Sequence, residues 1–138
     1  MLHGSGQPCF VVAGTDSKII LTQKDVREFQ LAKSAVYTTV KLLLREISAA
    51  PEDVSRIFIS GGFGNYIDLA NAVKIKLLPE IPFSKYKFLG NGSLGGGQMV
   101  LLNKTCRRTI SEFPARCRSV ELAAKKGFQE SFTNNLHF

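Results

Sequence analysis

Residues 57–65 read Ile57-Phe58-Ile59-Ser60-Gly61-Gly62-Phe63-Gly64-Asn65. An apolar run gives way at once to a glycine cluster. A buried strand ends like this where the backbone turns sharply and leaves space for a ligand, because glycine reaches positive φ and carries no Cβ. A helical pattern resumes near Asp68, so the stretch reads as strand, glycine loop and helix. That unit commonly holds nucleotides and phosphates. A glycine-rich turn alone fits a plain tight turn equally well, and the surrounding sequence decides its meaning.

Downstream, Asp68 reads as an N-cap and Leu69 to Leu78 as a short helix stopped by Pro79 and Pro82. Tyr86 to Leu89 is a second strand. It runs into Gly90-Asn91-Gly92-Ser93, another strand-to-helix glycine turn, with a helix expected from Leu94 to Arg108. Gly95, Gly96 and Gly97 in its first turns cost roughly 1 kcal/mol each relative to alanine, which calls for close packing or a ligand over the helix start. Pro114 breaks the next segment. Ser119 to Leu122 reads as a last short strand and Gly127 to Leu136 as a final helix or turn.

Upstream, Arg56 to Ser60 is apolar at consecutive positions, as for a strand covered on both faces. Thr22-Gln23-Lys24-Asp25 fits a capping box with Asp in the Glu position. From there Val26, Phe29, Ala32, Val36, Val40, Leu43 and Ile47 recur at three- and four-residue steps. They predict one amphipathic helix of about six turns, ending near Ala50-Pro51, with its apolar stripe against a sheet. Gln30, Lys33, Ser34, Tyr37 and Lys41 form a second face, which periodicity alone reads as solvated. Cys9 to Ala13 and Lys18 to Thr22 read as a hairpin around Gly14-Thr15-Asp16-Ser17. The expected order is β-β-α-β-α-β-α-β-α, an α/β fold with glycine turns at the C-terminal ends of successive strands, the edge where open α/β sheets bind ligands.

The chain has 138 residues, 44% hydrophobic and 21% charged, which suits one soluble globular domain. No apolar run approaches the roughly 18 to 20 residues that span a bilayer. Residues 1–8 read as a tag or disordered lead-in without the apolar stretch of a signal peptide, and 9–138 as one lobe cut from a larger protein. The net charge of +7 fits a solvated basic surface or an anionic partner. No aromatic-interleaved basic stripe or zinc-finger spacing accompanies it, which argues against nucleic acid. Cys9, Cys106 and Cys117 form no CxxC pair and are too few for a cysteine-ligated iron–sulfur cluster. The odd count suits a reducing cytoplasm. His3 and His137 make no metal constellation, and no catalytic triad pattern is present.

Taken together, Ile20-Leu-Thr-Gln-Lys-Asp-Val-Arg-Glu-Phe-Gln-Leu-Ala-Lys33, Ile59-Ser-Gly-Gly-Phe-Gly-Asn-Tyr-Ile-Asp68, Gly90-Asn-Gly-Ser-Leu-Gly95, Glu121-Leu-Ala and Phe128-Gln-Glu-Ser-Phe132 resemble one family. It is the C-terminal domain of the ATP-dependent reductive activators of corrinoid proteins. The resemblance runs over nearly the whole chain from about residue 9. It implies the RNase H-like fold of the actin, heat-shock chaperone and sugar kinase superfamily, here a second lobe with a mixed sheet flanked by helices. In that superfamily a strand followed by a Gly-Gly turn forms the adenosine motif, which matches Ser60, Gly61, Gly62, Phe63, Gly64 and Asn65. The preceding helix offers polar side chains to adenine and ribose, matched by Gln30, Lys33, Ser34 and Tyr37. The turn at Asn91 and Gly92 matches the segment that closes over the adenine. Two departures stand out: Gly95-Gly96-Gly97 is richer in glycine than expected, and Pro114 sits where relatives look helical.

The resemblance implies ATP as ligand, with Mg²⁺ held through a first lobe and a [2Fe-2S] cluster in an N-terminal domain, neither part of this sequence. It implies a corrinoid protein of a methyltransferase or iron–sulfur system as partner, returned from Co(II) to Co(I), with the first lobe of the same parent and a possible homodimer as further contacts. The chain alone is expected to bind adenosine weakly and not to hydrolyse ATP, since half the groups that position phosphates and metal lie elsewhere. The competing expectation is a structural domain for dimerisation or partner docking, its glycine turns serving the fold alone.

Overall fold

Residues 8–14 and 18–138 are described by a computed structural model of the chain; for Phe63 and Asn65 the description is of the backbone. Residues 1–7 of the lead-in expected over 1–8, and Thr15, Asp16 and Ser17 between the expected hairpin strands, lie outside the described residues. The hairpin strands form as the alternation dictates. Cys9–Ala13 (β1) runs antiparallel to Ile19–Thr22 (β2), pairing Phe10 with Leu21 and Val11 with Ile20, and the register shifts between Val11 and Ala13. Phe10, Val12, Ile19 and Leu21 are exposed, whereas Val11 and Ile20 are half-buried.

Helix α1, Gln23–Glu46, starts where its capping box says it must. The Asp25 amide donates to Thr22 Oγ1 (3.2 Å) and the Thr22 amide to Asp25 Oδ2 (2.8 Å). These hydrogen bonds hold the Asp25 carboxyl below the usual range, the Thr22 hydroxyl contributing most. The face that α1 buries differs from the expected one. Of the apolar stripe, Phe29, Val36, Leu43 and Ile47 are exposed; Lys33, Ser34, Thr38 and Leu42 are buried. The reason is the packing partner. Helix α5, Phe128–Asn134, and the residues after it lie along α1 and present main-chain carbonyls, which polar side chains satisfy and leucines do not.

The second pair is parallel. Ile57–Ile59 (β3) lies beside Tyr86–Phe88 (β4), with Ile57 opposite Tyr86 and Ile59 opposite Phe88. Between them Asp68 caps α2 (Leu69–Lys74) by accepting from the Asn71 amide at 2.8 Å. This helix ends before the expected Leu78. Lys76 takes a φ of 57°, and the amides of Leu77 and Leu78 turn back onto the Ala72 carbonyl at 2.8 and 3.2 Å, closing the end. Ala72, Ile81 and Tyr86 are buried at this junction, and the Tyr86 hydroxyl donates to the Pro79 carbonyl at 2.7 Å.

The helix expected over Leu94–Arg108 is two helices, α3 (Gly92–Leu102) and α4 (Lys104–Glu112). Asn103 breaks them apart: its Oδ1 accepts from the Thr105 and Cys106 amides at 2.8 and 3.3 Å, so it caps α4 instead of continuing α3. Pro114 sits in a 3₁₀ turn, Phe113–Arg116. The strand expected at Ser119 to Leu122 does not form: residues 118–121 are irregular and Leu122–Ala124 is a 3₁₀ turn. This stretch is tied to α1 by ion pairs, Arg118 and Lys125 each reaching Glu46 at 2.7 Å.

The two strand pairs share no hydrogen-bonded ladder among the described residues. Several apolar side chains among the described residues are open, those of Phe10, Val12, Ile19 and Leu21 on the hairpin among them.

Candidate functional site at the two glycine turns

Parallel pairing of β3 with β4 sets their C-terminal ends side by side, which brings the two glycine turns together. The ladder continues past the strands: the Leu89 amide donates to the Ile59 carbonyl (2.9 Å) and the Gly61 amide to the Gly90 carbonyl (2.8 Å). Ser60 locks the pair. Its hydroxyl donates to the Gly90 carbonyl at 3.2 Å and accepts from the Gly92 amide at 3.1 Å. A Cβ on Gly92 would collide with Ser60 Oγ, so glycine is required there by close approach. Gly61 is required by conformation, at φ 97° and ψ 169°. Gly90, which the sequence reading passed over as a ligand residue, takes φ 63° and supplies the carbonyl at the centre of this network.

The chain then enters the 3₁₀ turn Gly62–Tyr66. A Cβ on Gly62 would meet nothing within 4 Å, so the main chain is bare on that side. Gly64 is buried, and a Cβ there would lie 2.6 Å from Ile59 Cγ2. Phe63 and Asn65 contribute backbone to the turn; their side chains lie outside the described residues. Asn91 caps α3 by accepting from the Leu94 amide at 3.0 Å. The close packing invoked for Gly95, Gly96 and Gly97 is absent, since a Cβ on any of them meets nothing within 4 Å. Open space therefore lies beside Gly61 and Gly62 of the first turn and beside the first turns of α3, whereas Gly64 and Gly92 are closely packed.

The residues of the helix face separate into two places. Lys33 Nζ donates to the carbonyls of Asn135 (2.9 Å) and His137 (2.5 Å), and Ser34 Oγ to that of Phe132 (2.5 Å). Both side chains are fully buried. Burial pushes the Lys33 ammonium below the usual lysine range, and Lys76 adds to the shift. Gln30 is half-buried on the same helix. Tyr37, also half-buried, lines a cleft of about 420 Å³ with Lys41, Arg45, Glu52, Pro79 and Glu80. That cleft takes no wall from either glycine turn, so it is separate from the place where the two turns meet. Thr38, which accepts from Asn135 Nδ2 at 3.1 Å, was missed by sequence reasoning. The row Ser34, Thr38, Leu42 at four-residue steps was the available signal.

Over residues 4–138 the sequence matches the family described as the C-terminal domain of RACo, the ASKHA domain. The chain belongs to this family. Its fold is accordingly the RNase H-like one, an α/β lobe built on small sheets and helices. It is 42% identical over 120 residues to a protein named corrinoid activation enzyme RamQ from Eubacterium limosum, covering 87% of this chain and 20% of that protein. A solved structure titled reductive activator for corrinoid, iron-sulfur protein superposes on the whole chain with a TM-score of 0.89 at 28% identity, covering 23% of that protein. The chain thus spans about a fifth of the length of each of these relatives. No helix among the described residues is long and apolar enough to cross a membrane.

Proposed function

We propose that this chain supplies adenosine contacts within an ATP-dependent reductive activator, which returns the cobalt of a corrinoid protein from Co(II) to Co(I) in the cytoplasm. The relatives' names support the corrinoid role. The observation that carries the nucleotide role is the bare main chain at Gly61 and Gly62, braced by the Ser60 bridge to Gly90 and Gly92. The turns fit an adenine-ribose unit: one wall is open backbone without Cβ atoms, and amides and carbonyls line it. Gly61, Gly62 and Gly92 would lie against the ligand, with Ser60 holding the second turn in place, and Phe63, Gly64, Asn65 and Asn91 completing the loop. Gln30, Lys33, Ser34 and Tyr37 are proposed as the helix contribution.

The chemistry supplied by bound ATP is a clamp between lobes, which shifts closure only by its differential affinity for the closed state. Reduction of Co(II) to Co(I) takes one electron, which an iron–sulfur centre in another domain of the parent protein would supply, and Mg²⁺ would be held through the other lobe. The chain alone is expected to bind ATP at about millimolar strength, near −4 kcal/mol.

Titration calorimetry with ATP tests the nucleotide role. Gly62→Val should abolish the heat signal while the melting temperature holds. Micromolar affinity or steady phosphate release by the isolated chain would contradict the division of labour, and a Gly62→Val variant that binds as the parent does would remove the glycine turn from the site.

The second reading, a docking or dimerisation domain, is favoured by one observation: Phe10, Val12, Ile19 and Leu21 form an exposed apolar face on the hairpin. It predicts a nucleotide response indifferent to Gly62→Val.

A further inference from the structure

The segment after α5 sits over the polar face of α1 in a way that resembles a bound ligand. Three side chains of α1 are fully buried beneath it, Lys33, Ser34 and Thr38, and every one is polar. Lys33 and Ser34 present only donors to it, and they receive only main-chain carbonyls: those of Phe132, Asn135 and His137. No carboxylate pairs with the Lys33 ammonium among the described residues; the ring of Phe138 lies 4.9 Å from Lys33 Nζ instead. The same ring stacks on Phe29 at 6.2 Å and 18°. Of the three carbonyl oxygens, that of Phe132 belongs to α5 and that of Asn135 to its C-cap, so the segment beyond them brings one carbonyl, that of His137, and one aromatic ring to this helix face.

The cover is also thin. Regular structure ends at Asn134, His137 and Phe138 are exposed on their outer side, and Phe138 remains 59% accessible. The buried lysine is shielded by one layer of irregular backbone. Such segments open at low local free energy, well below global unfolding.

We propose that Leu136–Phe138 is an internal competitor, occupying on α1 a site for a ligand that joins an aromatic ring to acceptor oxygens. An adenine nucleotide has that chemistry: its base would take the place of the Phe138 ring on Phe29, and a ribose or phosphate oxygen the place of the His137 carbonyl on Lys33. Ser34 keeps its bond to Phe132 within α5, and Asn135 keeps its bond to Thr38, so release breaks the Lys33–His137 bond and the two Phe138 contacts, leaving α5 docked. This proposal rests on the adenosine reading and adds that the chain's own segment must leave before the helix face can contribute.

The test compares the full chain with a variant lacking residues 136–138 and with Phe138→Ala, each checked for an intact melt. Reductive methylation read by NMR reports whether Lys33 is accessible, and ATP binding is followed by calorimetry. In the deletion variant Lys33 should become reactive and ATP affinity should rise about tenfold, since apparent affinity scales with the fraction of binding-competent molecules. Phe138→Ala should give a smaller gain of the same sign, and Lys33→Met in the deletion background should cancel it. A reactive Lys33 with unchanged ATP affinity overturns the proposal while leaving the glycine turns to stand or fall by Gly62→Val. So does a Lys33 that stays protected after deletion. Loss of the folded signal in both the deletion and Phe138→Ala overturns it too, by making the segment a structural part of the core.

Discussion

Alanine substitution at two adjacent glycines should separate backbone strain from every other effect. Gly61 sits at φ 97° and ψ 169°. Side chains rarely adopt that region, and forcing one there costs on the order of 1–3 kcal/mol. A Cβ on Gly61 meets no atom within 4 Å, so Gly61→Ala adds no clash and its whole cost is conformational. Gly62 has the same open surroundings without a positive φ. Alanine at such a position restricts the unfolded chain and is worth about 0.4–1 kcal/mol of added stability. The two variants should therefore differ by about 1.4–4 kcal/mol. For 138 residues, unfolding entropy near 60 °C is about 0.3 kcal/mol/K, so their melting temperatures should lie about 5–14 °C apart, Gly61→Ala the lower. Scanning calorimetry or circular dichroism reads this directly, and urea denaturation supplies the free energies. Melting temperatures within about 2 °C of each other, a spread worth under 1 kcal/mol here, would refute the argument, because then the bend after Ser60 is not held in the conformation that only glycine tolerates.

Further outcomes follow from the same geometry. Ser60→Ala and Gly92→Ala should each cost about 1 kcal/mol, with the double variant costing less than their sum; strict additivity in urea denaturation would show that Ser60 does not bridge the turns. Tyr86→Phe should cost about 1–2 kcal/mol by leaving the Pro79 carbonyl without its buried donor. Burial raises the Tyr86 phenol above its usual range, so its contribution is fully present below the ordinary tyrosine value and lost as pH climbs through the raised one. The gap between parent and variant should then narrow in alkali, and a constant gap would count against it. Lys33 works in the opposite sense: its depressed value means the fold disfavours the ammonium. Stability tied to Lys33 should rise as pH passes from that depressed value up to the ordinary lysine range, and Lys33→Met should remove the rise. At the acid end, the Thr22–Asp25 cap contributes above the ordinary aspartate value and fades as pH falls through the lowered one. Asp25→Asn should flatten that part of the acid unfolding curve.

The parts of the fold that local chemistry dictates were legible in the sequence. Thr22 and Asp68 announced their helices because a capping side chain acts on amides within three residues. The hairpin strands and both glycine turns were legible for the same reason. What could not be read depended on distant partners. The apolar stripe of α1 pointed to a sheet, yet the face of Ser34, Thr38 and Leu42 is the covered one, because a segment about a hundred residues away in sequence brings carbonyls to it. Asn103 falls inside the helix expected over Leu94–Arg108, yet its short side chain caps the next helix by accepting from the Thr105 and Cys106 amides. Ser119 to Leu122 has strand composition without a neighbouring strand to pair with, so propensity alone could not make it one. Of the candidate site, the two glycine turns lie side by side, whereas the helix residues divide between Lys33 under its cover and Tyr37 beside its cleft.

Glu46 takes Arg118 on one oxygen and Lys125 on the other, both at 2.7 Å, across a stretch whose only regular element is the short 3₁₀ turn Leu122–Ala124. With Arg118 71% and Lys125 46% exposed, this anchorage is a matter of charge in water more than of burial. Raising ionic strength should therefore loosen residues 117–125 selectively, as protease nicking at Arg118 would reveal, while the paired backbone of β3 and β4 keeps its hydrogens in exchange. Part of this lobe is fastened by solvent-sensitive means and part is not, so its firmness depends on the salt around it.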